Sequence, residues 1–467
     1  MTDTISIPLW LFVPLLGFAI FAAIERVMFP SVRWYFRRRM EKVVTRLNER
    51  LERPIQPFKL ARRHDMIQRL IYDPDVSRAI ADHARDEGVP ENVAFELAQR
   101  YAREIVPSFS ASLYYGVAIR LARFISQSMY RVRLGHYDQE ALDRIDRETT
   151  IVFVMNHRSN MDYVLVTYLA AENSALSYAV GEWARVWPLS RLIKAMGAYF
   201  IRRKSRDGLY RRVLARYVRL ATDAGVMQAL FPEGGLSLDG ALAEPKLGIL
   251  KYIVDGHDAD SRDVAFVPVA LNYDRVFEDR ILVAANQAGE RRFHARISVV
   301  VRFIIKQLWL RLRGKYHRFG YAAVSFGAPV LLHDFMREYP GEVVENLARE
   351  LMDRIGEEVP VLPVPLVATV MLRQKKAIPL ETLEAGVREL MEQLRNAHVH
   401  VPRGDPAYVV KVGVRGLSQG DILRKTDAGI VLNDTEHHIA EFYAASISHL
   451  ISPVQRDVAE LSAPARL

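Results

Sequence analysis

The chain has no cysteine among its 467 residues. This excludes a disulfide framework and a cysteine nucleophile, and it accords with the reducing side of a membrane without proving it. No serine nucleophile elbow is expected, which removes the usual starting point for a covalent acyl-enzyme. Acidic residues run short against basic ones, 55 to 64, giving a formal charge of +9 and a pI near 9.5. Such a balance suits anionic lipid headgroups, acidic substrates or nucleic acid, and does not choose among them. There is no internal repeat and no low-complexity tract, so solenoid and linker architectures are set aside.

Long apolar runs are also scarce. The exception is residues 5–24, an uncharged stretch of about 20 residues, just enough to cross about 30 Å of hydrocarbon. Asp3 precedes it, whereas Arg26, Arg33 and Arg37 to Arg39 follow it. It therefore lacks the basic start of a signal peptide and reads as an anchor that leaves the body of the chain on the cytoplasmic side. Pro8 and Pro14 interrupt a helix there, so a re-entrant or interfacial segment is the competing reading.

What remains divides by pattern. Residues 1–30 form the expected membrane anchor. Residues 31–140 read as amphipathic helices broken near Pro54, Pro57, Pro74 and Pro90. Within them, residues 109–131 carry an apolar face interleaved with arginines that either packs on the core or rests on a membrane. Residues 141–335 alternate short apolar runs with helical patterns, the signature of an α/β sheet covered by helices. A basic segment with a tryptophan, 301–318, suits either an interfacial helix or a core helix with a solvated face. Residues 336–467 read as mostly helical, with a proline-rich break at 359–365 and a looser stretch at 399–421.

Four short motifs carry the chemistry, in fixed order. His157-Arg158-Ser159-Asn160-Met161-Asp162 follows the apolar run Ile151 to Met155, and Gly197-Ala198-Tyr199-Phe200-Ile201-Arg202-Arg203 comes next. Phe231-Pro232-Glu233-Gly234-Gly235 and Val267-Pro268-Val269-Ala270-Leu271 complete the set. With 13 histidines in the chain, a single His-x-x-x-x-Asp pair is within chance. Four ordered motifs, each closing its own short apolar run, are not. On a continuous helix His157 and Asp162 would lie about 140° apart around the axis, so a tight turn between strand and helix is required for them to meet. In such a turn Asp162 can fix the imidazole tautomer and leave the other ring nitrogen to act as a general base near neutral pH. Ser159 reads as a turn or cap residue. No second histidine with ligand spacing lies nearby, so no metal centre is expected at His157. Arg202 and Arg203 stand at a strand end, where the planar guanidinium suits a phosphate dianion. Pro268 lacks a ladder donor and is expected at a bulge or an edge.

Together the four motifs resemble the blocks of the glycerolipid acyltransferases, which move a fatty acyl chain from a thioester onto a glycerol phosphate hydroxyl. The helical flanks and the run Phe442 to Leu450 are most similar to the large membrane-bound bacterial glycerol-3-phosphate 1-O-acyltransferases. The resemblance implies acyl-CoA or acyl carrier protein as donor, sn-glycerol 3-phosphate as acceptor, membrane phospholipid as surroundings, and no metal or organic cofactor. No nucleic acid is expected, and the implied location is the cytoplasmic face of a bacterial inner membrane. By the same resemblance His157 is the base oriented by Asp162, attack on the thioester is direct, Arg203 binds phosphate, Glu233 and Gly234 hold the glycerol phosphate, and Pro268 lies beside the donor. The third block departs from the pattern: where relatives carry arginines soon after the glycines, this chain has Leu236 and Leu238. Arg158, Lys246 and Lys251, the last two near a helix expected from Pro245, are candidates to replace that charge. A 1-acylglycerol-3-phosphate acyltransferase, with a more apolar acceptor pocket, and a non-catalytic basic binding protein are the rival readings.

Overall fold

The computed structural model describes residues 8–23, 38, 42–170, 175–181, 189–202, 205, 207–258, 260–289, 309, 313, 318–394, 397 and 405–451. They fall into two compact units, Met1–Pro54 and Ile55–Leu467. In the first unit the apolar stretch forms helix α1, Leu9–Ala23, with Pro14 inside it and with large side chains such as Trp10 and Phe18 exposed. Its 15 residues reach about 22 Å. No described helix is long and apolar enough to cross a membrane, so the expected spanning anchor at 5–24 is not met among the described residues; 5–7 and 24 lie outside them.

The second unit is built on an eight-stranded sheet of order β1-β7-β6-β2-β5-β3-β4, with β8 also paired to β6. The strands are β1 Arg131–Tyr137, β2 Thr150–Met155, β3 Ser177–Val180, β4 Tyr199–Phe200, β5 Gln228–Leu230, β6 Val264–Tyr273, β7 Tyr321–Phe326 and β8 Val330–Leu331. From β6 through β4 all neighbours are parallel, while β7 and β8 run antiparallel to β6. The sheet thus begins before residue 141, because β1 pairs with β7.

Burial on both faces explains the unbroken apolar strands. Alternate residues of β2 serve different cores: Ile151, Phe153 and Met155 join one, Val152 and Val154 the other. The first core is closed by helices from the C-terminal third, among them α12 Pro363–Leu372, α14 Pro406–Ser418 and α15 His437–Ala445. The second is closed by α2 Arg63–Ile71, α3 Pro74–Asp86 and α4 Glu91–Ile105, with α7 Gly208–Asp223 and α11 Val343–Glu357. Helices from the regions expected to flank the catalytic domain thus pack on both faces of the sheet. The remaining principal helices are α5 Ile119–Met129, α6 Met161–Leu169, α8 Gly248–Val254, α9 Asp279–Gln287, α10 Leu332–Glu338 and α13 Leu380–Gln393.

Three local expectations change. The stretch 399–421, expected to be loose, contains α14: Asp405 caps it by accepting from Tyr408 N, and Pro406 fills the first turn. A hairpin, β9 Leu423–Thr426 with β10 Gly429–Leu432, interrupts the C-terminal region, expected to be mostly helical; Gly429 takes φ +126°, which a side chain would resist. Pro268 lies in β6, an interior strand, instead of at an edge. Its backbone faces the turn between β7 and β8, where Gly327 N donates to its carbonyl at 2.9 Å. The missing N–H falls where one antiparallel partner has ended and the next has not begun.

Candidate active site

β2 and β5 are adjacent and parallel, so the turns at their carboxyl ends meet. The turn after β2 runs from Asn156 to Asn160 and enters α6 directly, which puts Asp162 in the first helical turn. Asp162 is fully buried and its two oxygens accept four bonds. Oδ2 takes His157 Nδ1 at 2.9 Å, Arg158 N at 2.8 Å and Ser159 N at 3.0 Å; Oδ1 takes the Tyr273 hydroxyl at 2.6 Å. Because a carboxylate accepts, this network assigns the proton to Nδ1 and leaves Nε2 as the basic nitrogen. The turn required by the sequence is thus present, closed by the aspartate itself.

The imidazole is fixed from its faces as well. Phe231, from the turn after β5, stacks on it at 4.0 Å between centroids, and Tyr163 meets it edge-on at 5.5 Å. The backbone of the turn is anchored by side chains that the motif reading did not single out. Asn156 exchanges both amide bonds with Leu271 of β6, at 3.0 and 2.7 Å. Glu278 accepts from Ser159 Oγ at 2.8 Å and from Asn160 N and Nδ2, and burial raises its pKa. Ser159 also accepts from Met161 N, as a turn residue does. Tyr273, Glu278 and Asn156 flank the fourth and first motifs, and nothing but proximity to them pointed that way.

Glu233 turns inward. Its carboxylate accepts His157 N at 2.8 Å and Ala243 N at 3.2 Å, and burial pushes its pKa up to about 7. It ties the two turns together and sets the height of His157. Gly234 has φ +67°, and a Cβ there would come 2.8 Å from Lys246 Cδ, so the glycine lets the Lys246 stem lie across the turn. Lys246 is exposed, and its N–H donates to Pro232 O at 2.8 Å. Lys251, on a helix that starts at Gly248, is exposed beside Asp255. Leu236 and Leu238 pack against the core.

Arg158 is buried under the C-terminal helix α15. Nη1 donates to Gly240 O and the guanidinium lies 5.0 Å above the Phe442 ring. Nε and Nη2 have no partner among the described residues, although burial works against the charge and Glu233 and Asp162 favour it. Gly240 permits this closure: a Cβ there would sit 1.9 Å from Phe442 O. Arg202 is engaged elsewhere. Its Nε and Nη2 bond Glu104 at 2.9 and 2.7 Å, and Tyr101 and Tyr210 stack about the cation at 5.0 and 5.2 Å. Arg203 lies outside the described residues. The Gly416-x-Ser418-x-Gly420 string has the spelling of a nucleophile elbow, but it closes helix α14 instead of following a strand.

The buried His-Asp pair at a parallel strand end falls within residues 136–272, which match the family described as Acyltransferase. Residues 307–453 match the family described as Glycerol-3-phosphate acyltransferase C-terminal region. The chain thus carries two family matches, both to acyltransferases. Curated relatives named glycerol-3-phosphate acyltransferase include those of Pseudomonas syringae pv. syringae, 25% identical over 423 residues, and Actinobacillus succinogenes, 26% identical over 425 residues. Each alignment covers 84% of this chain but 49% and 50% of the relative, so the chain spans about half the length of those relatives. A crystal structure of the 1-acyl-sn-glycerophosphate (LPA) acyltransferase PlsC from Thermotoga maritima overlaps 52% of this chain and 80% of that one at 18% identity and a TM-score of 0.30, too weak a likeness to argue from.

Proposed function

We propose that this chain transfers a fatty acyl group from acyl-CoA or acyl carrier protein to the sn-1 hydroxyl of glycerol 3-phosphate, the first acylation in phospholipid synthesis. The observation that carries the reading is the His157 Nδ1 to Asp162 Oδ2 bond, which dedicates Nε2 to proton transfer. Nε2 takes the hydroxyl proton as the oxygen attacks the thioester carbonyl. The tetrahedral oxyanion collapses, the carbon–sulfur bond breaks, and the thiolate leaves with the proton that His157 held. Ester and thiol are the only products, so no co-reactant is needed. His157, Asp162 and the curated relatives support this assignment, as does the match to the C-terminal region named for glycerol-3-phosphate acyltransferase.

For the acceptor phosphate, the candidates are Arg158, whose Nε and Nη2 lack partners beside His157, the exposed Lys246, and Arg203. Arg202 would have to leave Glu104 to join them. The leucines at 236 and 238, which motivated the 1-acylglycerol-3-phosphate reading, are accounted for by core packing. We read the site of action as the cytoplasmic face of a bacterial membrane. Support comes from α5, which packs its Ala122 and Ser126 side inward while Val117 and its own Leu121 and Phe124, spaced i, i+4, i+7, stay about half exposed. Arg120 and Arg123 are exposed on the same helix, which has no acidic residue, as anionic lipid requires.

The test is release of CoA from palmitoyl-CoA by membranes carrying the protein, with glycerol 3-phosphate or its 1-acyl derivative as acceptor. Release with glycerol 3-phosphate is expected. Release with the acylated acceptor alone would move the enzyme to the second acylation. Leu121→Asp with Phe124→Asp should cut binding to anionic vesicles; unchanged binding would remove α5 from the membrane surface.

A further inference from the structure

At the opposite end of the sheet from His157, three side chains from separate segments converge. The antiparallel register that pairs Ala265 with Leu331 places His333 opposite Asp263, one residue before β6. His333 N donates to Asp263 Oδ1 at 3.1 Å, and Val264 N donates to the same oxygen at 2.7 Å. His257 arrives on the loop after α8, fixed by its N–H to Val254 O at 2.9 Å, and its ring lies 4.5 Å from that of His333. One donor atom from each of the three residues lies within 4.8 Å of the others. Among the described residues this is the one such group of histidine and carboxylate ligands.

Two details of the rings point to a cation. The Nε2 of His257 is buried and has no hydrogen-bond partner among the described residues. A buried ring nitrogen left unpaired costs free energy, which a bound cation would remove. The Nε2 of His333 faces the Asp258 carbonyl at 3.4 Å, and a carbonyl can only accept. In the neutral ring the Nδ1 lone pair is then turned toward Asp263 Oδ1, 3.7 Å away. A nitrogen lone pair and a carboxylate oxygen facing each other repel unless something positive lies between. Orientation of a ligating imidazole by a backbone carbonyl on its other nitrogen is what metal sites use.

We propose that His257, Asp263 and His333 bind a divalent cation of the zinc type, with solvent completing the coordination. Two imidazoles and a carboxylate are a donor set zinc favours, and donors held about 2.0–2.2 Å from a tetrahedral zinc stand roughly 3.4 Å apart, so the three donor atoms, now within 4.8 Å of one another, would close up on binding. Arg219, whose Nη2 is 3.9 Å from Asp258 Oδ2, is the nearby opposing charge. The six residues of β2 put this site roughly 20 Å from His157, so it takes no part in proton transfer. Its consequence is mechanical. His257 and Asp263 belong to the region matching the acyltransferase family and His333 to the C-terminal region, so the cation clips one to the other.

The test uses the purified full chain, stripped with chelator and titrated with zinc by calorimetry, together with thermal unfolding. One zinc per chain and a raised unfolding midpoint are expected. His257→Ala and His333→Ala should each weaken binding by more than the roughly 10–100-fold that loss of an outer-shell partner costs, and should abolish the thermal shift. His437→Ala should retain both. If either variant fails to fold, Asp263→Asn carries the same expectation of weakened binding. Absence of zinc binding by the wild type, or binding that both histidine variants keep, would overturn the proposal.

Discussion

The turn after β2 is closed from within, whereas the end of β4 is closed from far away. His157 is held by Asp162, five residues on, while Arg202 is held by Glu104, 98 residues back in the chain. The first arrangement is complete before any ligand arrives, with every oxygen of the aspartate engaged on its own turn and on Tyr273. The second satisfies a cation that would otherwise be available to an anion. A motif histidine is thereby held in one orientation, and a motif arginine is occupied with joining a helix of one cover to the sheet.

The comparison breaks first at His157. Replacing it with alanine should lower kcat by about a thousandfold, the scale of general-base catalysis, with the far-ultraviolet circular dichroism unchanged. Asp162→Asn comes next. An amide there turns a donor toward at least one of four groups that donate to the carboxylate, so turnover should fall by about a hundredfold or more and stability by about 1–3 kcal/mol, read from kcat and urea unfolding. Arg203→Ala should mainly raise the KM for glycerol 3-phosphate, by about tenfold for the loss of roughly 1.4 kcal/mol of binding. Arg202→Ala sharpens the contrast: its effect should appear in stability, with the acceptor KM changed less than for Arg203. A larger KM effect at Arg202 would show that substrate displaces Glu104.

The smallest effect is on pH dependence. Burial lifts the Glu233 carboxyl from its ordinary 4.5 to about 7, so the folded state holds the proton more tightly than the unfolded chain. The sign follows: between about 4.5 and 7 the folded state binds more protons, and stability falls as pH rises through that window. Glu233→Gln should flatten this slope in urea titrations at a series of pH values. Asp274, also lifted to about 7 by burial, contributes in the same direction and remains in the variant.

Legibility follows the range of the contacts. Unbroken apolar runs at residues 151–155 and 267–271 announced strands buried on both faces, and the five-residue His-Asp spacing demanded the turn that is found. These are local patterns. The partner of Arg202, the hold of Glu278 on Ser159 and the cover of Phe442 over Arg158 join residues about a hundred or more positions apart, and no periodicity encodes them. Other departures were local and overlooked: Asp405-Pro406 is an ordinary helix start, and Gly429 an ordinary hairpin glycine. The flanks were legible as helical but not as covers, because an amphipathic face does not say which sheet face it meets.

The central claim is that His157 activates the acceptor for direct attack, with no acyl group resting on the protein. Rapid-mixing measurement of CoA release from palmitoyl-CoA tests it, with and without glycerol 3-phosphate, in the wild type and in His157→Ala. The account predicts release that needs the acceptor, shows no burst without it, and is lost in the variant. A stoichiometric burst of CoA in the absence of acceptor, or near-normal release by His157→Ala, would contradict it.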